Sequence, residues 1–253
     1  MPTEIRTCLL PLLSKPEDYS GSVAVILDIL RASSTISFAL NSGATSVIPC
    51  EEIEEAQQVA SELRQATGEE VLLGGERMGV MIEGFDLDNS PARYPAETVA
   101  GKQIVFTTSN GTRALKHAIQ ARRILIGSFL CLDAVVNELK NSDGLIYLVC
   151  AGTDGSVTGE DCLCAGAIAA ELQDQIGQEL AMDDSTRIVV DHYRSQIQHE
   201  EGVLMAIRAS LGGRNLIRRG FEDDIRLCSE RGLISAVPEY DHQSETITLA
   251  AGV

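Results

Sequence analysis

The chain contains 253 residues, and 20 Lys plus Arg against 37 Asp plus Glu give a formal net charge of −17 at pH 7. With 44% hydrophobic and 23% charged residues it has the composition of a globular protein, which excludes a disordered chain. So negative a total disfavours docking on nucleic acid or on an anionic membrane, and a small anionic ligand needs local help from Arg, backbone N–H groups or a divalent cation.

No apolar run approaches the roughly 20 residues that span a bilayer, because VAVILDIL is interrupted by Asp28. The N-terminal MPTEIRTCLLPLL carries Glu4 early and lacks a small-residue cleavage pattern, so a cytoplasmic location without a signal peptide is expected. The cysteines, Cys8, Cys50, Cys131, Cys150, Cys162, Cys164 and Cys228, form no CxxC pair, have no His at zinc spacing, and read as buried core thiols.

In chain order, VAVIL (23–27), SVIP (46–49), VLLG (71–74), IVFT (104–107), ILIG (124–127) and LIYLVC (145–150) predict strands buried on both faces. Between them, residues 51–67, 112–120 and 132–140 space their apolar side chains near 3.6 and predict helices. Beyond about residue 158 the pattern turns mostly helical: EDCLCAGAIAAELQDQI, STRIVVDHYRSQI with Ser185 as N-cap, EEGVLMAIRAS and NLIRRGFEDDIRLCSE. The RIVV string inside the second is equally compatible with a strand. SAVPEY and ETITLA predict two closing strands. The alternation implies an α/β fold, with helices packed on both faces of a largely parallel sheet.

Polar residues gather where these strands end. LDILRASSTI (27–36) runs from a strand into Asp28, Arg31 and a Ser-Ser-Thr helix start; spacing alone allows either an anion site or an Asp28–Arg31 pair with a capped helix. LLGGERMG (72–79) places Gly74, Gly75, Glu76 and Arg77 after a strand, in an arrangement that is not a dinucleotide fingerprint. IVFTTSNGTRAL (104–115) brings Thr107, Thr108, Asn110, Gly111, Thr112 and Arg113 to one turn, a composition suited to an oxyanion. LVCAGTDGSVTGEDCLCAG (148–166) ends in Glu160 and Asp161 at a helix start, either as caps or as oxygen ligands for Mg²⁺.

Taken in order, LDILRASSTI, GGER, GFDLDNSP, TTSNGTRA, CAGTDGSVTGEDCLCAG and GRNLIRRGFEDDI resemble the motifs of the 2-phosphosulfolactate phosphatase (ComB) family across nearly the whole chain. The resemblance implies a three-layer α/β/α fold, with residues 1–253 as one ComB-like domain of two closely packed α/β subdomains; the change of pattern near residue 158 marks their expected boundary. It also implies a Mg²⁺-dependent phosphatase that hydrolyses 2-phospho-3-sulfolactate to 3-sulfolactate and phosphate, a step toward coenzyme M in methanogens.

The motif residues are carried over without their roles. On chemical grounds Asp28, Glu76 and Glu160 or Asp161 are expected to hold Mg²⁺, with Asp28 and Asp161 acting in catalysis. Arg31, Arg77, Thr108, Asn110, Gly111, Thr112 and Arg113 are expected to bind the phosphate, carboxylate and sulfonate of a small substrate. A second reading makes Asp86 of DLDNS the nucleophile of a haloacid-dehalogenase-type phosphatase, although Glu83-Gly84-Phe85 precedes it where an apolar strand should stand. A third is a non-catalytic binding protein for sulfonated or phosphorylated hydroxy acids, and the missing G-x-G-x-x-G disfavours a nicotinamide-dependent dehydrogenase. Homodimerisation is the base-rate expectation.

Overall fold

Strand β2 (Val23–Leu27) shows how the apolar runs become a sheet buried on both sides. Its Val23, Val25 and Leu27 enter one core and its Ala24 and Ile26 another, as the period of two in a strand requires. The computed structural model describes residues 1–177 and 180–250. The other strands are β1 (Pro2–Cys8), β3 (Ser46–Cys50), β4 (Val71–Arg77), β5 (Val80–Met81), β6 (Gln103–Thr107), β7 (Arg123–Gly127), β8 (Gly144–Cys150), β9 (Ala181–Met182), β10 (Pro238–Asp241) and β11 (Thr246–Leu249). The helices are α1 (Ala32–Asn41), α2 (Ile53–Thr67), α3 (Ala96–Val99), α4 (Gly111–His117), α5 (Leu132–Lys140), α6 (Gly159–Ile176), α7 (Asp184–Gln196), α8 (Gly202–Ala209), α9 (Leu211–Arg218) and α10 (Glu222–Ser229).

The strands form one sheet in the order β5-β4-β6-β3-β11-β10-β7-β2-β8-β1-β9. The blocks β4-β6-β3 and β7-β2-β8-β1-β9 are each parallel. The closing hairpin β10–β11 is inserted between them and pairs antiparallel on both sides, through Ile247 with Val47 and through Glu239 and Tyr240 with Leu125 and Ile124. Three antiparallel pairings reverse the local strand direction between the blocks. Five steps separate β2 from β6, and at roughly 20–25° of twist per step they turn the blocks by roughly 100–125°. Reversal and twist together let the carboxyl ends of both blocks meet at one crevice, where open α/β sheets place their ligands.

Three cores follow from this arrangement. One joins both blocks beneath α1 and α4 through Ile26, Ile104 and Phe106, and one packs α5, α6 and α7 behind β1, β2 and β8. The smallest packs α2 behind β3, β4 and β6. Sheet and helices thus make a three-layer α/β/α arrangement. Among the described residues no helix is long and apolar enough to cross a membrane.

The sequence reading needs several corrections. β1 was not expected, because PTEIRTC alternates apolar with charged and polar residues instead of presenting a continuous apolar run; it pairs with β8 on one side and with the two-residue β9 on the other. RIVV is helical, inside α7. The N-cap of α7 is Asp183 rather than Ser185: its carboxylate accepts from the Thr186 N–H at 2.8 Å, satisfying a donor left free by the first turn. The segment 215–230 breaks into α9 and α10 at Gly220, a residue with φ of 80°. All seven cysteines are free and buried.

Candidate active site

The carboxyl ends of β2, β4, β6 and β8 and one face of α9 enclose a cavity of about 130 Å³. Asp28, Arg31, Glu76, Asn89, Ser109, Asn110, Asp154, Asn215 and Arg219 are among the residues lining it.

Asp28 follows directly on β2 and is buried. Its Oδ1 accepts from the Ala32 N–H at 3.3 Å, and the Gly111 N–H also donates to the carboxylate. The carboxylate therefore occupies the N-termini of both α1 and α4, where peptide dipoles favour an anion. The turn that reads from sequence as an oxyanion cradle thus holds the protein's own Asp28. Burial, and then the neighbouring Glu76, push the Asp28 carboxyl up to about 7, against the two N–H donors and with a further contribution from Glu160. A Cβ at position 111 would stand 2.8 Å from Asp28 Oδ2 and 2.9 Å from Ala32 Cβ. Gly111→Ala should therefore displace the carboxylate and lower kcat/KM by about 100-fold, the scale of a 1 Å misplacement. Steady-state kinetics alongside an unchanged circular dichroism spectrum would check this.

Glu76 ends β4 beside Asp28. Its Oε1 accepts from the Ser109 N–H at 2.9 Å and its Oε2 from the Gly79 N–H at 2.5 Å. One turn, 109–111, thus aims N–H groups at both cavity carboxylates. Asp161 stands behind them: Oδ1 accepts from the Ile29 N–H at 2.8 Å, and Oδ2 from the Gly152 N–H and the Thr158 hydroxyl, both at 2.9 Å. Burial, then Glu160 and Asp28, raise the Asp161 carboxyl, while the Ile29 and Gly152 donors act in the opposite sense. It pins the residue after Asp28 to the β8–α6 loop and is not among the cavity-lining residues. Glu160 is buried against Gly212 at the start of α9, its carboxyl raised by burial, and its Oε2 has no hydrogen-bond partner.

Arg31 does not pair with Asp28. Its Nη1 donates to Asp224 Oδ2 at 2.5 Å, the guanidinium lies 4.3 Å from the Phe221 ring centroid, and the other Asp224 oxygen accepts from the Ser90 hydroxyl at 2.7 Å. Ser90 of GFDLDNSP and Asp224 of GRNLIRRGFEDDI thus hold one buried cation at the cavity wall, which is how two distant motifs serve one site.

The other expected site residues sit as follows. Asn110 lines the cavity, and its Oδ1 accepts from the Asp154 N–H at 3.3 Å. Thr108 and Thr112 are buried with their hydroxyls 3.5 Å apart, behind the lining. Arg77 is turned away: it donates to the carbonyls of Glu76 (2.9 Å) and Glu51 (2.5 Å) and to the Thr107 hydroxyl (2.8 Å). Arg113 is exposed on α4 and is not a lining residue. Asp86 accepts from the Leu73 N–H at 2.8 Å and lies 3.6 Å from Arg64, so it braces β4 outside the cavity. The sequence reading missed Asn89, Asn215, Arg219 and Asp224. The spacing 212, 215, 216, 219, one face of a helix, is the signal that could have found the α9 wall.

A family model described as 2-phosphosulpholactate phosphatase matches residues 8–243. The chain is similar to a protein of Clostridium perfringens (strain SM101 / Type A) named probable 2-phosphosulfolactate phosphatase, with 38% identity over 237 residues, 94% of this chain and 93% of that one. Proteins of the same name from Symbiobacterium thermophilum and Pseudothermotoga lettingae are 39% and 38% identical, covering 88% and 92% of this chain and 93% and 96% of theirs. Matched along almost its full length, the chain belongs to the 2-phosphosulfolactate phosphatase family of enzymes.

Proposed function

We propose that the cavity hydrolyses 2-phospho-3-sulfolactate, or a closely related 2-phosphohydroxy acid, to the hydroxy acid and phosphate, with Mg²⁺ held by Asp28 and Glu76. The observation that carries this reading is the pair of buried carboxylates, Asp28 and Glu76, on one cavity whose inner cation, Arg31, is already matched by Asp224. Such a site holds surplus negative charge and calls for a cation before it can accept an anion. Hard carboxylate oxygens suit Mg²⁺, which takes one or two of them and leaves its other positions to water and substrate phosphate. Among the described residues no three His, Cys, Asp or Glu side chains stand together as a metal-holding group, so the proposed site is limited to Asp28 and Glu76 and does not include the third carboxylate expected from the sequence. Asp161, with both oxygens engaged, acts in this reading by positioning Asp28 rather than as a ligand.

When bound, the ion supplies charge neutralisation at the phosphoryl oxygens and a lowered pKa for water. Arg31, anchored through one Nη, keeps further N–H donors for the phosphoryl group. Asp28, raised to about 7 in the metal-free protein and ionised once the cation is held, is the carboxylate placed to orient the attacking water and accept its proton. The test is a phosphate-release screen over 2-phosphohydroxy acids with Mg²⁺ or with a chelator. Release confined to the Mg²⁺ arm is expected, and no turnover of any such ester would remove the phosphatase reading of this cavity.

A further inference from the structure

We infer that the α9 side of the cavity is the subsite that reads the sulfonate of the substrate, with Arg219 as its specificity-determining residue. The inference rests on the phosphatase reading above and extends it to the part of the molecule that does not react. In 2-phospho-3-sulfolactate the carboxylate shares a carbon with the phosphoryl oxygen, whereas the sulfonate lies one carbon further out. A phosphoryl group placed at Asp28 and Arg31 therefore sends the sulfonate toward the opposite wall.

That wall carries the matching chemistry. Arg219 and Arg31 are the two cations among the described residues that line the cavity. Asn215 precedes Arg219 by four residues, so both project from one side of the helix. Arg219 Nη1 donates across the mouth to the Met78 carbonyl, over Gly79, where any Cβ would collide with the guanidinium. The side chain is thus held over the opening by one carbonyl and keeps its remaining donors free of that bond. Asn89 is buried, lines the same cavity, and carries in its amide NH₂ a donor of the type a sulfonate oxygen accepts from. A sulfonate spreads its charge over three weakly basic oxygens, so it suits guanidinium and amide donors better than a hard metal ion.

The experiment compares kcat/KM for 2-phospho-3-sulfolactate with that for 2-phospholactate, which lacks the sulfonate, in the wild type and in Arg219→Gln, Arg219→Lys and Asn215→Ala. The expected result is that Arg219→Gln lowers the ratio of the two values by about 10- to 100-fold, the scale of one charge-assisted hydrogen bond. Arg219→Lys should lie between, because it keeps the charge and loses the fork. Binding of 3-sulfolactate, followed by calorimetry in the wild type and Arg219→Gln, gives a readout that needs no turnover. Equal losses on both esters, or unchanged 3-sulfolactate binding in Arg219→Gln, overturn the subsite while leaving the phosphatase reading intact. A wild type that binds 3-sulfolactate through Arg219 yet hydrolyses neither ester overturns the phosphatase reading and keeps the subsite. If the wild type neither binds 3-sulfolactate nor hydrolyses the esters, both fall.

Discussion

Asp28→Asn is expected to lower kcat for phosphate release by about 1,000-fold, within the range that acid–base groups contribute. Asn keeps the size of Asp and an oxygen for the Ala32 N–H, so the fold should survive while the charge disappears. Asp86→Asn is the contrasting variant: the Leu73 N–H keeps an acceptor, the residue is outside the cavity, and activity should stay within about twofold, as for an ordinary surface substitution. The reverse pattern would restore the haloacid-dehalogenase-type reading.

The same substitution carries a stability signature of opposite sign. The folded carboxyl of Asp28 is raised from 3.8 to about 7. Its contribution to stability is therefore fully present below about pH 4 and is lost as pH rises through about 7. Metal-free wild type should lose stability across that window, on the order of 4 kcal/mol as an upper bound from the shift. Asp28→Asn should lack this component. Chelator-treated protein melted at pH 5 and pH 8 checks it: the wild type should have the lower Tm at pH 8, and the gap should narrow in the variant.

Asp224→Ala should cost about 3–5 kcal/mol, the penalty for leaving one member of a buried ion pair uncompensated. Arg31 and Asp224 have side chains only 2% and 6% exposed, so water has little access to the orphaned guanidinium. The Ser90 hydroxyl would lose its acceptor as well. Catalytic efficiency should fall with stability, because Phe221 packing alone does not fix the direction in which Arg31 offers its N–H groups. Urea unfolding measures the loss; a change below about 1 kcal/mol would mean the pair behaves as an exposed one and that Arg31 is not held as described.

The strands buried on both faces and the helices between them were legible because a continuous apolar run has few other uses in a chain of this composition. β1 was not, since its Glu4 and Arg6 interrupt the run, and the insertion of β10–β11 between two parallel blocks is a long-range choice that local periodicity does not encode. For the site, the positions where strands end pointed to Asp28, Glu76 and Asn110, all of which line the cavity. Residue type could not say which way an arginine turns. Arg77 meets three oxygen acceptors near its own strand end, while Arg31 finds its partner 193 residues away. Arg219 and Asp224 lay inside a quoted motif, but a role depends on what α9 and α10 pack against, which only the tertiary structure supplies.

Titration of the metal-free protein with Mg²⁺ by calorimetry at pH 7, in buffers of different ionisation enthalpy, tests the central claim that the Asp28–Glu76 pair holds the cation. With the Asp28 carboxyl near 7, about half a proton should leave the protein per ion bound at that pH. Asp28→Asn should abolish the release and weaken binding by about 100-fold or more, the upper scale for loss of even a supporting partner at a metal site. Wild-type protein that takes up no Mg²⁺ at millimolar concentration, or an Asp28→Asn variant that binds it with unchanged affinity and proton release, would contradict the account.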